Sequence, residues 1–252
     1  MAKMTLVEIV QDIVNDLSSD FINSIDDTEE SQQVAQIVKS TFYAMISNRN
    51  WAHTKSGIAL VPYSDSSLPT HMKVVEDIKE LLFINYDIRK QGESRNRYTS
   101  MKWMEPDLFL FRTNQEDNTK SYVKSVKDPT GISLLIRNDK SPSVYTSFDD
   151  NTLVFDSYDS SVDSTLQSSK VQAQAYVFPG WEHTDTFVPN LPSEAFTALL
   201  EEAKSRAAMK LNKDVDHKAE QEAGRQQRWL SRKNWQINGG VVYPNYGRRS
   251  RK

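Results

Sequence analysis

The spacing of apolar residues divides the chain into helical ends and a β-rich middle. Leu6, Ile9, Val10, Ile13, Val14 and Leu17 fall at i, i+3, i+4, i+7, i+8 and i+11, which predicts an amphipathic helix with Thr5 as its N-cap. A turn over 24–26 and a capping signal at Asp27-Thr28-Glu29-Glu30 open a second helix. That helix carries Val34, Ile37, Val38, Thr41, Phe42, Met45 and Ile46 and is expected to end near Trp51. Toward the other end, Ser193 and Glu194 suit a helix start. Phe196, Leu199, Leu200, Ala203, Ala207 and Leu211 continue it to about Asn212. A last helix, from about Asp214 to Trp235, has a thinner stripe of Val215, Ala219, Ala223, Gln226 and Leu230, weakened by Gly224. Two antiparallel helices at each end suit one four-helix bundle.

Between the helices the period changes to two. Strands are expected at 57–63, 71–75, 81–86, 132–137, 143–148, 153–158 and 171–177, with a tight turn at Asp149-Asp150-Asn151. Pro106 at a first-turn position marks a short helix through Phe111, and 87–97 reads as a polar loop. The expected fold class is therefore α+β: a four-helix bundle from N- and C-terminal pairs, an inserted antiparallel β-rich domain, and an extended C-terminal arm. The corresponding boundaries are 1–55, 56–192, 193–235 and 236–252.

Composition changes this picture in two ways. The chain of 252 residues has no cysteine, which removes disulfide and thiolate chemistry and fits a reducing compartment. No run approaches the ~18 apolar residues of a membrane span, and no hydrophobic leader opens the chain, so a membrane partner is not expected. Charge is unevenly spread. Residues 204–252 hold 13 Lys/Arg against 4 Asp/Glu, a net +9, while the rest holds 18 against 30, a net −12. An acidic body with a basic end suits docking onto an acidic partner or a neighbouring copy.

Chemical signatures are sparse. His53, His71, His183 and His217 stand far apart with no metal-ligand spacing. Nucleophile-elbow and phosphate-binding glycine motifs are missing from the sequence. The aspartates at 149, 150, 156, 159 and 163 lack the EF-hand spacing and its glycine. No catalytic residue, cofactor or metal is expected. The tail is the richer stretch: Trp235, Tyr243, Pro244 and Tyr246 lead to Arg248, Arg249, Arg251 and Lys252. Tyrosine, tryptophan and arginine are favoured interface anchors. Three readings stand open for this tail: an unstructured terminus, a docking arm, or a nucleic-acid contact through its arginines.

The order of elements, with residues 138–150 (Asn-Asp-Lys-Ser-Pro-Ser-Val-Tyr-Thr-Ser-Phe-Asp-Asp) and 154–159 (Val-Phe-Asp-Ser-Tyr-Asp), resembles a family of tailed-bacteriophage virion proteins. These are the head-to-tail adaptors, or connectors, of the tail tubular protein A type. The resemblance implies a ring, commonly a dodecamer, between the portal protein and the next tail component. Genomic DNA would pass through its lumen without specific binding. It implies a protein made in the bacterial host cytoplasm that resides in the virion neck, and no enzyme activity. By position the arm matches the portal-docking segment, which makes Trp235, Tyr243, Tyr246, Arg248, Arg249 and Arg251 the candidate portal-binding residues. The alternative is a DNA-binding module that uses the basic C-terminus.

Overall fold

The computed structural model describes residues 3–90, 92–149, 151–211 and 217–237, with side chains over 220–231 in the last stretch. It separates into two compact units, Met1–Thr54 with Pro179–Lys252, and Lys55–Phe178.

In the helical unit, α1 (Leu6–Ser18) buries Leu6, Ile9, Val10, Ile13 and Val14. Thr5 and Glu8 close a reciprocal capping box, with Thr5 N–H donating to Glu8 Oε2 at 2.7 Å. The helix stops where Ser19 turns left-handed at φ 60° and its N–H returns to Asn15. In α2 (Glu29–Asn48) the cap is Thr28, and Ser31 takes the place that Glu would hold in the usual box. Ser31 Oγ also donates to the Ile25 carbonyl at 2.8 Å, which fixes the turn between the helices.

The β unit contains a third helix, α3 (Pro106–Thr113). Back in the helical unit, α4 (Phe196–Lys210) follows a 3₁₀ turn at Ser193–Ala195 and α5 (His217–Ile237) follows α4. The helices are not arranged as the expected four-helix bundle. Phe196, Ala198, Leu199, Leu200, Ala203, Ala207 and Ala208 are all buried on α4, so its apolar surface is too wide for one bundle stripe. Against it pack α1, α2 and α5. Among the described side chains of α5, only Ala223, Leu230 and Ser231 are buried. That helix is laid on α4 and lacks the continuous stripe that would make it one wall of a shared four-sided core.

The β unit runs β1 (Lys55–Ile58), β2 (Leu60–Pro62), β3 (His71–Val74), β4 (Ile78–Asp87), β5 (Tyr98–Ser100) and β6 (Lys102–Trp103), followed by α3. It continues with β7 (Val123–Lys127), β8 (Ser133–Arg137), β9 (Val144–Ser147), β10 (Thr152–Phe155) and β11 (Val171–Val177). The strands form three sheets, ordered β1-β11-β4-β5, β2-β3-β10-β9-β6 and β7-β8. All pairings are antiparallel except β6 with β9, so the unit is not wholly antiparallel as expected. The segment read as one strand over 57–63 is two: the chain changes sheet at Ala59. Phe109, Phe155, Met72, Leu60, Ile84, Leu134 and Val154 are central to one core.

Candidate interaction surfaces

The sequence places its functional weight on the C-terminus, which α5 leads into. Of the candidate docking residues, Trp235 falls in the last turns of α5, and its side chain lies outside the described set. Tyr243, Tyr246, Arg248, Arg249 and Arg251 lie outside the described residues. The α5 surface that is described is polar, with Glu220 and Glu222 balancing Arg225 and Arg228. Arg225 and Gln226 both donate to Glu222 Oε1 at 2.7 Å, and these bonds, Gln226's foremost, hold that carboxyl below its ordinary range. Arg228 Nε donates to the Gly224 carbonyl at 3.0 Å, and Trp229 is 46% exposed.

Leu230 of α5 also lines a pocket of about 260 Å³ within the helical unit, together with Met45, Trp51, His53, Leu191 and Pro192. Its walls are mostly apolar. Trp51 Nε1 is spent on the Met45 carbonyl at 2.7 Å. His53 is lowered to about 4, chiefly because burial disfavours the imidazolium, against a smaller opposing pull from the Asn190 carbonyl. Its Nε2 is buried without a hydrogen-bond partner, so a proton there would have nowhere to donate.

In the β unit the titratable groups hold the fold. His71 is fully buried and its Nε2 lies 2.9 Å from Asp128 Oδ1. Burial pushes this imidazole below the ordinary histidine range, even though Asp128 pulls the other way. The neutral tautomer that fits carries its proton on Nε2 and accepts from Thr70 at Nδ1. Asp128 also accepts from Thr130 N–H at 2.8 Å and from the Thr130 hydroxyl, so one carboxylate joins β3 to the β7–β8 turn. The aspartates read as a cluster do separate local work. Asp149 accepts from Asn151 and Thr152 N–H at the hairpin turn. Asp156 accepts from Ser143 N–H and Oγ at 2.8 Å and from Val144 N–H at 3.1 Å. Asp163 pairs with Lys170, and Asp159 accepts from Ser161. Asp150 lies outside the described residues. Among the described residues no group of three His, Cys, Asp or Glu side chains is placed to hold a metal.

One feature of the β unit escaped the sequence reading. The polar stretch read as a loop over 87–97 is a hairpin tip that presents Lys90, Arg95 and Arg97 to solvent. Its signal was available, in the form of four cations within nine residues of an acidic body. Without knowledge of which of them had ion-pair partners, it read only as polarity.

Neither a protein-family model nor a curated protein matches this chain.

Proposed function

We propose that this protein is a virion structural component, a head-to-tail adaptor that joins a phage portal to the next tail part. The observation that carries this reading is the charge split: a net −12 over residues 1–203 against +9 over 204–252. The cationic, tryptophan-bearing α5 leads directly into the Tyr- and Arg-rich end. Such an end suits a second protein surface, because aromatic and arginine anchors dominate binding energy. An acidic body suits a passage for DNA, since a wall basic throughout would neutralise many phosphates, and the summed salt-dependent affinity would slow transit. Copies would meet head to tail in a closed ring, with the dodecamer as the expected size.

The test is portal binding by the full chain and by a chain ending at residue 233. The expected result is loss of binding on truncation, with the helical content otherwise retained. Unchanged affinity would remove the docking role from the arm. The alternative, duplex binding through the basic C-terminus, rests on the same +9 and predicts affinity that falls steeply with salt.

A further inference from the structure

We infer that the tip of the β4–β5 hairpin is a phosphate-backbone contact, in which Lys90, Arg95 and Arg97 bind duplex nucleic acid without reading its sequence. The inference goes beyond portal docking and involves residues far from the C-terminal arm in sequence.

The first ground is that the tip is built. Asp87, 2% exposed, accepts from Arg89 N–H at 3.1 Å and from Arg97 N–H at 2.9 Å, so one carboxylate ties both ends of the loop. Ile88 N–H donates to the Arg97 carbonyl at 2.9 Å. Arg89 Nη1 donates to Asn96 Oδ1 at 2.8 Å. Glu93 Oε2 accepts from Lys90 N–H at 3.2 Å, which turns the loop's own carboxylate onto its backbone. Gly92 takes φ +89°, a conformation that suits glycine.

The second ground is that the charges are free. In the β unit Arg89 pairs with Asp87, Arg112 with Asp156 and Arg137 with Asp139. Arg95 and Arg97 are exposed and have no carboxylate within 4.0 Å among the described residues, and the same holds for Lys90. Among the described residues these are the two arginines of the unit left without an ion pair.

The third ground decides between polyanions. Residues 89–97 read Arg-Lys-Gln-Gly-Glu-Ser-Arg-Asn-Arg and contain no apolar side chain. Protein interfaces are anchored by a buried aromatic or aliphatic core, which this tip cannot supply. Phosphate contacts need what it does have: guanidinium forks, an ammonium, a hydroxyl and an amide N–H₂.

The experiment measures binding of the full chain to a 20-base-pair duplex by fluorescence anisotropy across 20–200 mM salt. Two triple variants are compared. One carries Lys90→Ser, Arg95→Ser and Arg97→Ser. The other removes three exposed cations elsewhere in the same unit, Lys55→Ser, Lys102→Ser and Lys127→Ser. Loss of three phosphate contacts should make the slope of log K against log salt shallower by roughly 2.7 in the hairpin variant. The control variant should keep most of the wild-type slope. Arg95→Gln alone, which leaves every loop hydrogen bond named above intact, should lower the slope by roughly 0.9. Equal behaviour of the two triple variants overturns the inference, as does an unchanged slope in the hairpin variant or no binding at 20 mM salt. Competition by polyglutamate as effective as that by unlabelled duplex overturns it too, in favour of an acidic protein surface. Portal binding is a separate readout, so neither result stands in for the other.

Discussion

The two units solve the problem of buried polarity in opposite ways. Among the described residues of the helical unit, the buried polar side chains are hydroxyls: Ser31, Thr41, Thr54, Ser205 and Ser231. Several bond to a carbonyl one turn back, as Thr41 does to Ile37 at 2.8 Å and Ser231 to Gln227 at 2.6 Å. Such bonds are local and hold no distant segment. The β unit instead buries Asp87, Asp128, Asp156 and His71. His71 with Asp128 spans 57 positions, Asp156 ties the start of β9 to the end of β10, and Asp87 closes both ends of the β4–β5 loop. Helices satisfy their own backbone and need only an apolar stripe to be placed. Short strands and turns leave backbone donors over, and a buried carboxylate that accepts several at once fixes how those segments meet.

The largest test of this contrast is Asp156→Ala. It strips acceptors from Ser143 and Val144 and leaves Arg112 and Lys140 without their shared partner. We expect a loss of about 2–4 kcal/mol, chiefly from the donors left without an acceptor, measured by urea denaturation with Trp103, the one tryptophan of the β unit, as the probe. A loss below about 1 kcal/mol would erase the distinction between the units.

A smaller effect should appear with acid in the helical unit. The His53 imidazole titrates at about 4 in the fold against 6.5 when unfolded, so the unfolded chain takes up the proton first. The stability tied to its neutral form is complete above pH 6.5 and is lost as pH falls toward 4. After allowance for solvent screening of a partly exposed ring, this amounts to about 2 kcal/mol. His53→Gln should flatten that part of the stability–pH curve relative to the parent, and parallel curves would contradict it.

The smallest effect tests the helix start. Thr28→Ala removes the hydroxyl that accepts from Ser31 N–H at 3.0 Å and should cost about 1 kcal/mol. It should leave the Trp103 signal of the β unit's unfolding where it was.

The contrast also explains what the sequence revealed. Helices α1 and α2 were legible because threonine caps and apolar stripes are local signals that the fold keeps. The helical period could not disclose how the helices associate. The sparse stripe on α5 reads equally as a bundle wall or as a helix laid on one neighbour, and α4's buried alanines at 198, 203, 207 and 208 make the second arrangement. In the β unit, β9, β10 and β11 carry β-branched or alternating runs and were visible. Strands β5 and β6 are three and two residues long, too short for a period. Strand β7, Val-Lys-Ser-Val-Lys, buries only its two valines and hid behind its charge. The polar staples were illegible for a different reason: His71 and Asp128 are 57 positions apart, and only folding brings them to 2.9 Å. The tail was legible as composition alone.

The pairing of β1 with β11 sets how the insert responds to force. Lys55, its first residue, sits opposite Tyr176, two positions from its last, and the strands run antiparallel. Both covalent links therefore leave from the same end of one ladder, where Lys55 and Tyr176 face each other about 5 Å apart. Tension on them would peel the ladder open one rung at a time, where shear would load every rung together. The same closeness lets a short peptide bridge the gap, so the β unit can be lengthened, trimmed or exchanged with little demand on the chain that carries it.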